Sequence, residues 1–211
     1  MTGVPGTEAS EYWDGHYGRR PQIWSGRPNG ILVDEAHDLT PGRALDIGCG
    51  EGADAVWLAQ QGWHVTAVDV SHVALERAVD VARAADVDEL IDWQWHDLAH
   101  TFPDGTYDLV SAQYLHAPIE FPRDRVLRDA ASAVAPGGTL LVVGHASPPP
   151  WSRHNHQHEE LPQPDEVVRT LDLRVSAWVV DTCEVRTRET VDPHGEPATI
   201  TDSVVKARRR R

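Results

Sequence analysis

From Arg43 onward, short apolar runs alternate with longer stretches of helical periodicity. Residues 43–47 and 64–69 are each an apolar run bounded by turn residues, which predicts two buried strands. Between them, Ala55, Val56, Leu58 and Ala59 mark the inner face of a helix over 53–61. After Ser71, a predicted N-cap, Ala74, Leu75, Ala78, Ala82 and Ala85 mark a second helix. Further strands are predicted at 91–96, 107–113 and 138–144. Val126, Leu127, Ala130 and Val134 give a helix before the last of these, closed by Pro136-Gly-Gly138.

The ends of the chain break this rhythm. Residues 175–189 and 198–206 are β-rich runs joined by Asp192-Pro-His-Gly-Glu-Pro197, too short for a crossover helix, so they are expected to pair antiparallel. Residues 8–17 and 29–39 read as helices and carry Tyr12, Trp13 and Tyr17, with Trp24 between them. Residues 146–164, with three consecutive prolines and several histidines, read as a long irregular loop covering a site. The predicted fold class is therefore α/β, a doubly wound Rossmann-like sheet, mostly parallel, with a C-terminal antiparallel hairpin. Within one domain this gives an N-terminal helical lid (1–40), a cofactor-binding core (41–145), a substrate-covering loop (146–164) and a final helix with the terminal strands (165–211).

Composition narrows the partners. Thirty-three acidic against 19 basic residues give a formal net charge of −14, a field that repels nucleic-acid phosphates and anionic membranes. The basic run at 206–211 is read as a solvated tail. Only Cys49 and Cys183 are present, which suits a reducing compartment; with no signal-peptide pattern and no apolar run of membrane length, a cytoplasmic location is expected.

The chemistry-bearing segment is Asp46-Ile-Gly-Cys-Gly-Glu-Gly52, where the first strand turns into the first helix. Gly48 and Gly50 let a ligand lie against the main chain at a helix N-terminus. Asp69 ends the second strand, where doubly wound folds place a carboxylate on ribose hydroxyls, and Asp97 lies just past the third, where it can accept from an adenine amine. All three sit at the carboxyl edge of the sheet. Gly48-Cys-Gly-Glu-Gly-Ala53 also satisfies the permissive dinucleotide pattern, so an NAD(P)-dependent oxidoreductase stays open beside a nucleoside-binding transferase.

With Asp46 two positions before the first glycine and a reversed terminal hairpin, the sequence resembles the class I S-adenosylmethionine-dependent methyltransferases, whose first motif is Asp-x-Gly-x-Gly-x-Gly. The resemblance covers roughly residues 32–144 by motif and implies S-adenosyl-L-methionine as cofactor. It implies that Gly48 and Gly50 approach the methionine moiety, that Asp69 holds the ribose, that Asp97 with Leu98 addresses the adenine, that Gln113 contacts the cofactor beside the methyl donor, and that Trp24, Asp46, Cys49 and Val70 belong to the cofactor-binding set. Tyr12-Trp-Asp-x-x-Tyr17 and Trp24 resemble the aromatic lid of tellurite-resistance and thiopurine-type members. The expected reaction is in-line transfer of the methyl group to a small-molecule acceptor; a non-catalytic cofactor-binding protein is the remaining alternative.

A hydroxyl or protonated-amine acceptor needs a base, and histidine has the matching pKa. His116 follows the fourth strand and is the candidate catalytic residue, with His145, after the fifth, as the second. His154-Asn-His-Gln-His158 presents imidazoles at alternate positions, a spacing compatible with zinc, but no cysteine or carboxylate accompanies it; it is read as part of the covering loop, and no metal is expected. The segment Ala112-Gln-Tyr-Leu-His116 differs from the Asn-Pro-Pro-Tyr type of nucleic-acid amino-methylating enzymes.

Overall fold

The computed structural model describes residues 7–151, 161–192 and 194–211. Two helices, α1 (Glu8–Tyr17) and α2 (Gly30–Ala36), precede the sheet. Then come β1 (Arg43–Ile47), α3 (Ala53–Gln60), β2 (His64–Asp69), α4 (His72–Ala84), β3 (Ile91–Trp95), β4 (Tyr107–Gln113), α5 (Arg123–Ser132), β5 (Val134–His145), α6 (Pro164–Leu171), β6 (Trp178–Val191) and β7 (Pro197–Arg209). The strands form one seven-stranded sheet in the order β3-β2-β1-β4-β5-β7-β6. Strands β1 to β5 pair in parallel, whereas β7 runs antiparallel to both β5 and β6. The expected α/β class, parallel core and reversed hairpin are all present.

This strand order positions the site. The chain winds outward from β1 through β2 to β3, then returns to the other side of β1 to lay down β4. Helices leave β1 and β4 on opposite sides, and a crevice opens above their carboxyl ends, the place where ligands of such sheets bind. The sheet is covered on both faces. One cluster holds Leu45, Ile47, Val110, Leu127 and Leu140; the other holds Leu32, Leu58, Trp63, Val65 and Leu109. Burying each such side chain contributes about 1.5–3 kcal/mol.

Local boundaries follow local chemistry. Ser71 caps α4, its hydroxyl accepting from Ala74 N at 3.1 Å. The helix expected over 29–39 runs only from Gly30 to Ala36; its start is set where the backbone and side-chain amides of Asn29 donate at 2.7 Å to the Asp54 carboxylate on α3. Two expectations around 134–138 need correction. Val134 is not helical: it opens β5 opposite Tyr107, and α5 stops at Ser132. Pro136-Gly-Gly138 does not cap that helix but forms an irregularity inside β5, since the next pairs are Leu109 with Thr139 and Val110 with Leu140. Gly137, at φ +86°, makes the kink possible. The covering loop is described only at its two ends, where Gln163 and Glu166 form a capping box for α6 and Pro164 belongs to that helix. The run from His154 to His158 lies outside the described residues. No helix among the described residues is long and apolar enough to cross a membrane.

Candidate active site

The turn after β1 is built around three glycines at positive φ: Gly48 (+73°), Gly50 (+54°) and Gly52 (+82°). Gly48 N and Cys49 N donate to the Val68 carbonyl at 2.9 and 3.0 Å, binding the turn to β2. A Cβ on Gly48 would come within 2.8 Å of Leu115, and one on Gly50 within 2.9 Å of the Tyr17 hydroxyl, so these two glycines keep a cradle open. At Gly52 a Cβ would instead strike Ala78 and Trp93, which makes that glycine a packing requirement between α3, α4 and β3.

Carboxylates surround the cradle. Asp69 Oδ2 accepts from Gly50 N and its Oδ1 from Ser71 N, both at 2.9 Å, so one side chain fixes the turn and the start of α4. Burial raises the Asp69 pKa, and the backbone hydrogen bonds offset only part of that rise. Asp46 is also buried, and its Oδ2 has no hydrogen-bond partner among the described residues. Burial first, then the charges of Asp54 and Asp69, push the Asp46 carboxyl well above the usual carboxylate range. The result is a pocket of concentrated negative potential that favours a bound cation.

The roof comes from the N-terminal segment. The Trp24 indole N–H donates to the Tyr17 hydroxyl at 3.1 Å, directly over Gly50. Glu51, inside the glycine turn, accepts from Ile23 N and Trp24 N, and Arg77 of α4 pairs with it at 2.8 Å. Tyr17 is buried and Trp24 half-exposed, as an inner and an outer leaf.

At the far side, Asp97 and Leu98 are buried after β3. Asp97 Oδ1 accepts from Ala99 N at 3.0 Å, and its Oδ2 lies 3.1 Å from His100 Nδ1. The Val70 carbonyl accepts from the Trp95 indole at 2.7 Å, leaving the rest of the residue on the cavity wall. On β4, Gln113 donates through Nε2 to the Ser111 hydroxyl at 3.0 Å, and its buried Oε1 has no partner among the described residues.

Trp24, Asp46, Gly48, Cys49, Gly50, Asp69, Val70, Asp97, Leu98, Gln113 and His116 all line one cavity of about 1090 Å³. Beyond Gln113 the cavity continues to a wall of Tyr114, His116, His145, Arg188 and Thr190. Behind that wall, fully buried Asp202 of β7 is bonded to His145, Tyr114 and Arg188. Sequence reading assigned no role to Tyr114, Glu51, Arg188 or Asp202. The available signal for Asp202 is its place in Thr201-Asp-Ser203, a polar break between the apolar Ile200 and Val204 of one strand.

Comparison with known proteins places this geometry. Residues 44–138 match the family model described as a methyltransferase domain. The chain is 31% identical over 136 residues to methyltransferase GfsG of Streptomyces halstedii, covering 63% of this chain and 48% of the relative. It is 37% identical over 118 residues to the 27-O-demethylrifamycin SV methyltransferase of Amycolatopsis mediterranei, covering 53% and 43%. Ribosomal RNA small subunit methyltransferase C of Chromohalobacter salexigens is 32% identical over 120 residues, covering 55% and 35%. This chain thus spans about half or less of the length of these curated relatives. The crystal structure of TehB from Haemophilus influenzae superposes with a TM-score of 0.68 at 17% identity, over 96% of this chain and 67% of that one, a likeness of fold.

The residues present fit the cofactor of that class. Asp46 Oδ2 and Gln113 Oε1 are buried acceptors without a donor among the described residues, and they flank a cradle that a Cβ would fill. An ammonium and a sulfonium are the kinds of group such a place is short of. With residues 44–138 matching a methyltransferase-domain model and the reversed hairpin closing the sheet, the chain is similar to the class I, S-adenosylmethionine-dependent methyltransferases.

Proposed function

We propose that the protein transfers the methyl group of S-adenosylmethionine to a small-molecule acceptor. The observation that carries this reading is the continuity of the cavity, which runs from the glycine turn, past the orphaned Gln113 oxygen, to the wall of Tyr114, His116 and His145 under the aromatic roof. Its volume of about 1090 Å³ is at the upper end of the ~300–1000 Å³ common for one ligand, which suits a donor and a small acceptor side by side.

When bound, S-adenosylmethionine supplies a methyl group already activated on a sulfonium. The chain's own residues therefore bind, align and exclude water. Gly48 and Gly50 admit the methionine moiety against the backbone, with Cys49 as the small residue between them. Asp46 and Gln113 accept from its ammonium. Asp69 keeps acceptor lone pairs for the ribose hydroxyls beyond those used by Gly50 and Ser71, and Val70 lies beside it. Asp97 and Leu98 address the adenine. Tyr17 and Trp24 close the top and keep water out. The negative pocket must not hold the sulfonium too well, because that charge is lost as the methyl leaves.

A formal net charge of −14 supports a small acceptor over a polyanion such as ribosomal RNA. The test is calorimetric titration with S-adenosylmethionine, S-adenosylhomocysteine and NAD, followed by assay of S-adenosylhomocysteine release with small acceptors and with ribosomal RNA. Binding of the first two ligands alone, with turnover on small molecules, is expected. Preferred binding of NAD, or turnover on RNA alone, overturns the proposal.

A further inference from the structure

The end of the cavity away from the glycine turn holds a side-chain arrangement that cofactor binding does not require. His145 Nδ1 lies 3.0 Å from Oδ1 of Asp202, which is fully buried on β7. The other carboxylate oxygen accepts from Arg188 Nε of β6 at 2.6 Å and from the Tyr114 hydroxyl at 3.0 Å. Arg188 also donates to that hydroxyl at 3.1 Å. Tyr114 reaches this position through a left-handed backbone at φ +51°, a conformation that costs about 1–3 kcal/mol for a non-glycine residue. The end of β5, a residue of β6 and one strained residue after β4 thus converge on a single buried carboxylate of β7.

An ionised carboxylate only accepts, so Nδ1 of His145 carries a proton, and in the neutral ring Nε2, on the opposite side, keeps the lone pair. Neighbouring His116 is committed differently: its Nε2 accepts the backbone N–H of His145 at 3.3 Å, and the two rings stack at 6° with centroids 6.1 Å apart. That contact makes His116 a support for the His145 ring. Among the described residues, the charged and titratable groups around His145 are Asp202 from β7, Arg188 from β6, and Tyr114 and His116 from the segment after β4. Arg123 of α5 holds that segment through Leu115 O at 3.2 Å.

We propose that His145, oriented by Asp202, is the general base for an acceptor hydroxyl, and that this end of the cavity is built for phenol-type oxygen nucleophiles. This rests on the methyltransferase reading above. The acceptor O–H proton passes to His145 Nε2, and an oxygen electron pair closes on the methyl carbon. The carbon–sulfur bond breaks with its pair left on sulfur, and the imidazolium is balanced by Asp202. Arg188 brings a guanidinium to the cavity wall while the carboxylate that pairs with it stays buried behind, so an oxygen gaining negative charge is favoured there and an ammonium acceptor is not.

The test compares two acceptors of similar size at mildly alkaline pH, para-cresol, which stays protonated there, and para-nitrophenol, which is largely ionised. In the wild type both are expected to be methylated. His145→Asn is expected to lower kcat/KM for para-cresol by about 100-fold or more, the usual contribution of a positioned base. Its turnover of para-nitrophenol should stay within several-fold, and added imidazole should restore part of the para-cresol rate in His145→Ala. Equal losses on both acceptors, or no loss on either, overturn the assignment. So does absence of transfer to either phenol while calorimetry still shows S-adenosylmethionine bound, a result that removes the hydroxyl acceptor but leaves the cofactor reading standing.

Discussion

Arg77 Nη1 lies 2.8 Å from Glu51 Oε1, and that one ion pair joins the glycine turn, helix α4 and the roof of the cavity. Glu51 accepts from the backbone of Ile23 and Trp24, while Arg77 Nη2 donates to the carbonyls of Tyr17 and Arg20. The roof is therefore held to the cofactor turn through its main chain, and its aromatic side chains are left to face the ligand.

Arg77→Ala should loosen the roof without dissolving the sheet. It removes charge-assisted hydrogen bonds of about 1.5–3 kcal/mol each in gross terms, reduced here because the Arg77 side chain is 24% exposed. Amide exchange at Ile23 and Trp24 should accelerate at least tenfold, with little change for amides in β1 and β4. Uniform acceleration across the sheet would mean that Arg77 supports the whole fold instead of the roof.

Asp46 links binding to stability. Its folded-state pKa is raised, so the folded protein holds a proton there more tightly than the unfolded chain. Stability is then lost as pH rises from the ordinary value of 3.8 toward the elevated one, a cost that the ligand-free protein carries in full above that range. Asp46→Asn should raise the melting temperature of the ligand-free protein at neutral pH, by roughly 2–4 °C for each kcal/mol relieved. It should also weaken S-adenosylmethionine binding, and its stability advantage should shrink as pH is lowered toward 4. Calorimetric melting across pH, with and without the cofactor, checks both effects; a variant that is less stable at neutral pH would contradict the first.

Two glycines separate ligand space from helix propensity. Gly50→Ala places a methyl 2.9 Å from the Tyr17 hydroxyl at a φ of +54°, and it should reduce cofactor affinity at least tenfold while lowering stability by about 1–3 kcal/mol. Gly15 lies inside α1, where an added Cβ would meet nothing within 4 Å, so Gly15→Ala should stabilise by about 0.5–1 kcal/mol through helix propensity and leave binding unchanged. Denaturant unfolding and calorimetric titration of both variants measure the contrast.

The parallel core was legible because apolar periodicity and glycine turns act locally. Residues 43–47, 64–69 and 107–113 show their strands in composition alone, and Ser71 announces its helix. The kink at 135–138 was not, because proline and two glycines suit a helix end and a strand irregularity equally, and only pairing with Tyr107 and Leu109 decides between them. That Asp46, Asp69 and Asp97 line one cavity was legible for the same reason as the core: they sit at or just past strand ends. The acceptor side was not, since Tyr114, His145, Arg188 and Asp202 are brought together by a hairpin that returns from far along the chain, and no local pattern encodes their meeting.

Asp202 should reveal itself in the acid limb of stability. Burial alone would raise its pKa, yet hydrogen bonds from His145, Arg188 and Tyr114 outweigh burial and hold it below the usual carboxylate range. A carboxylate depressed in the folded state contributes stability that is fully present above the unfolded-state pKa, near 3.8, and is lost as pH falls through the lower folded value. Asp202→Asn keeps the shape but removes the charge that Arg188 and His145 share. It should cost about 1.5–3 kcal/mol at neutral pH, the range for a hydrogen bond to a charged group, with the difference from wild type narrowing below pH 4. Because the pair sits at the acceptor end, cofactor affinity should change less than threefold. Melting curves from acid to neutral pH, paired with S-adenosylhomocysteine titration, measure the two together; a constant stability gap at every pH would show that Asp202 acts by packing, and a lost cofactor site would show that the hairpin reaches further into the core than its contacts imply.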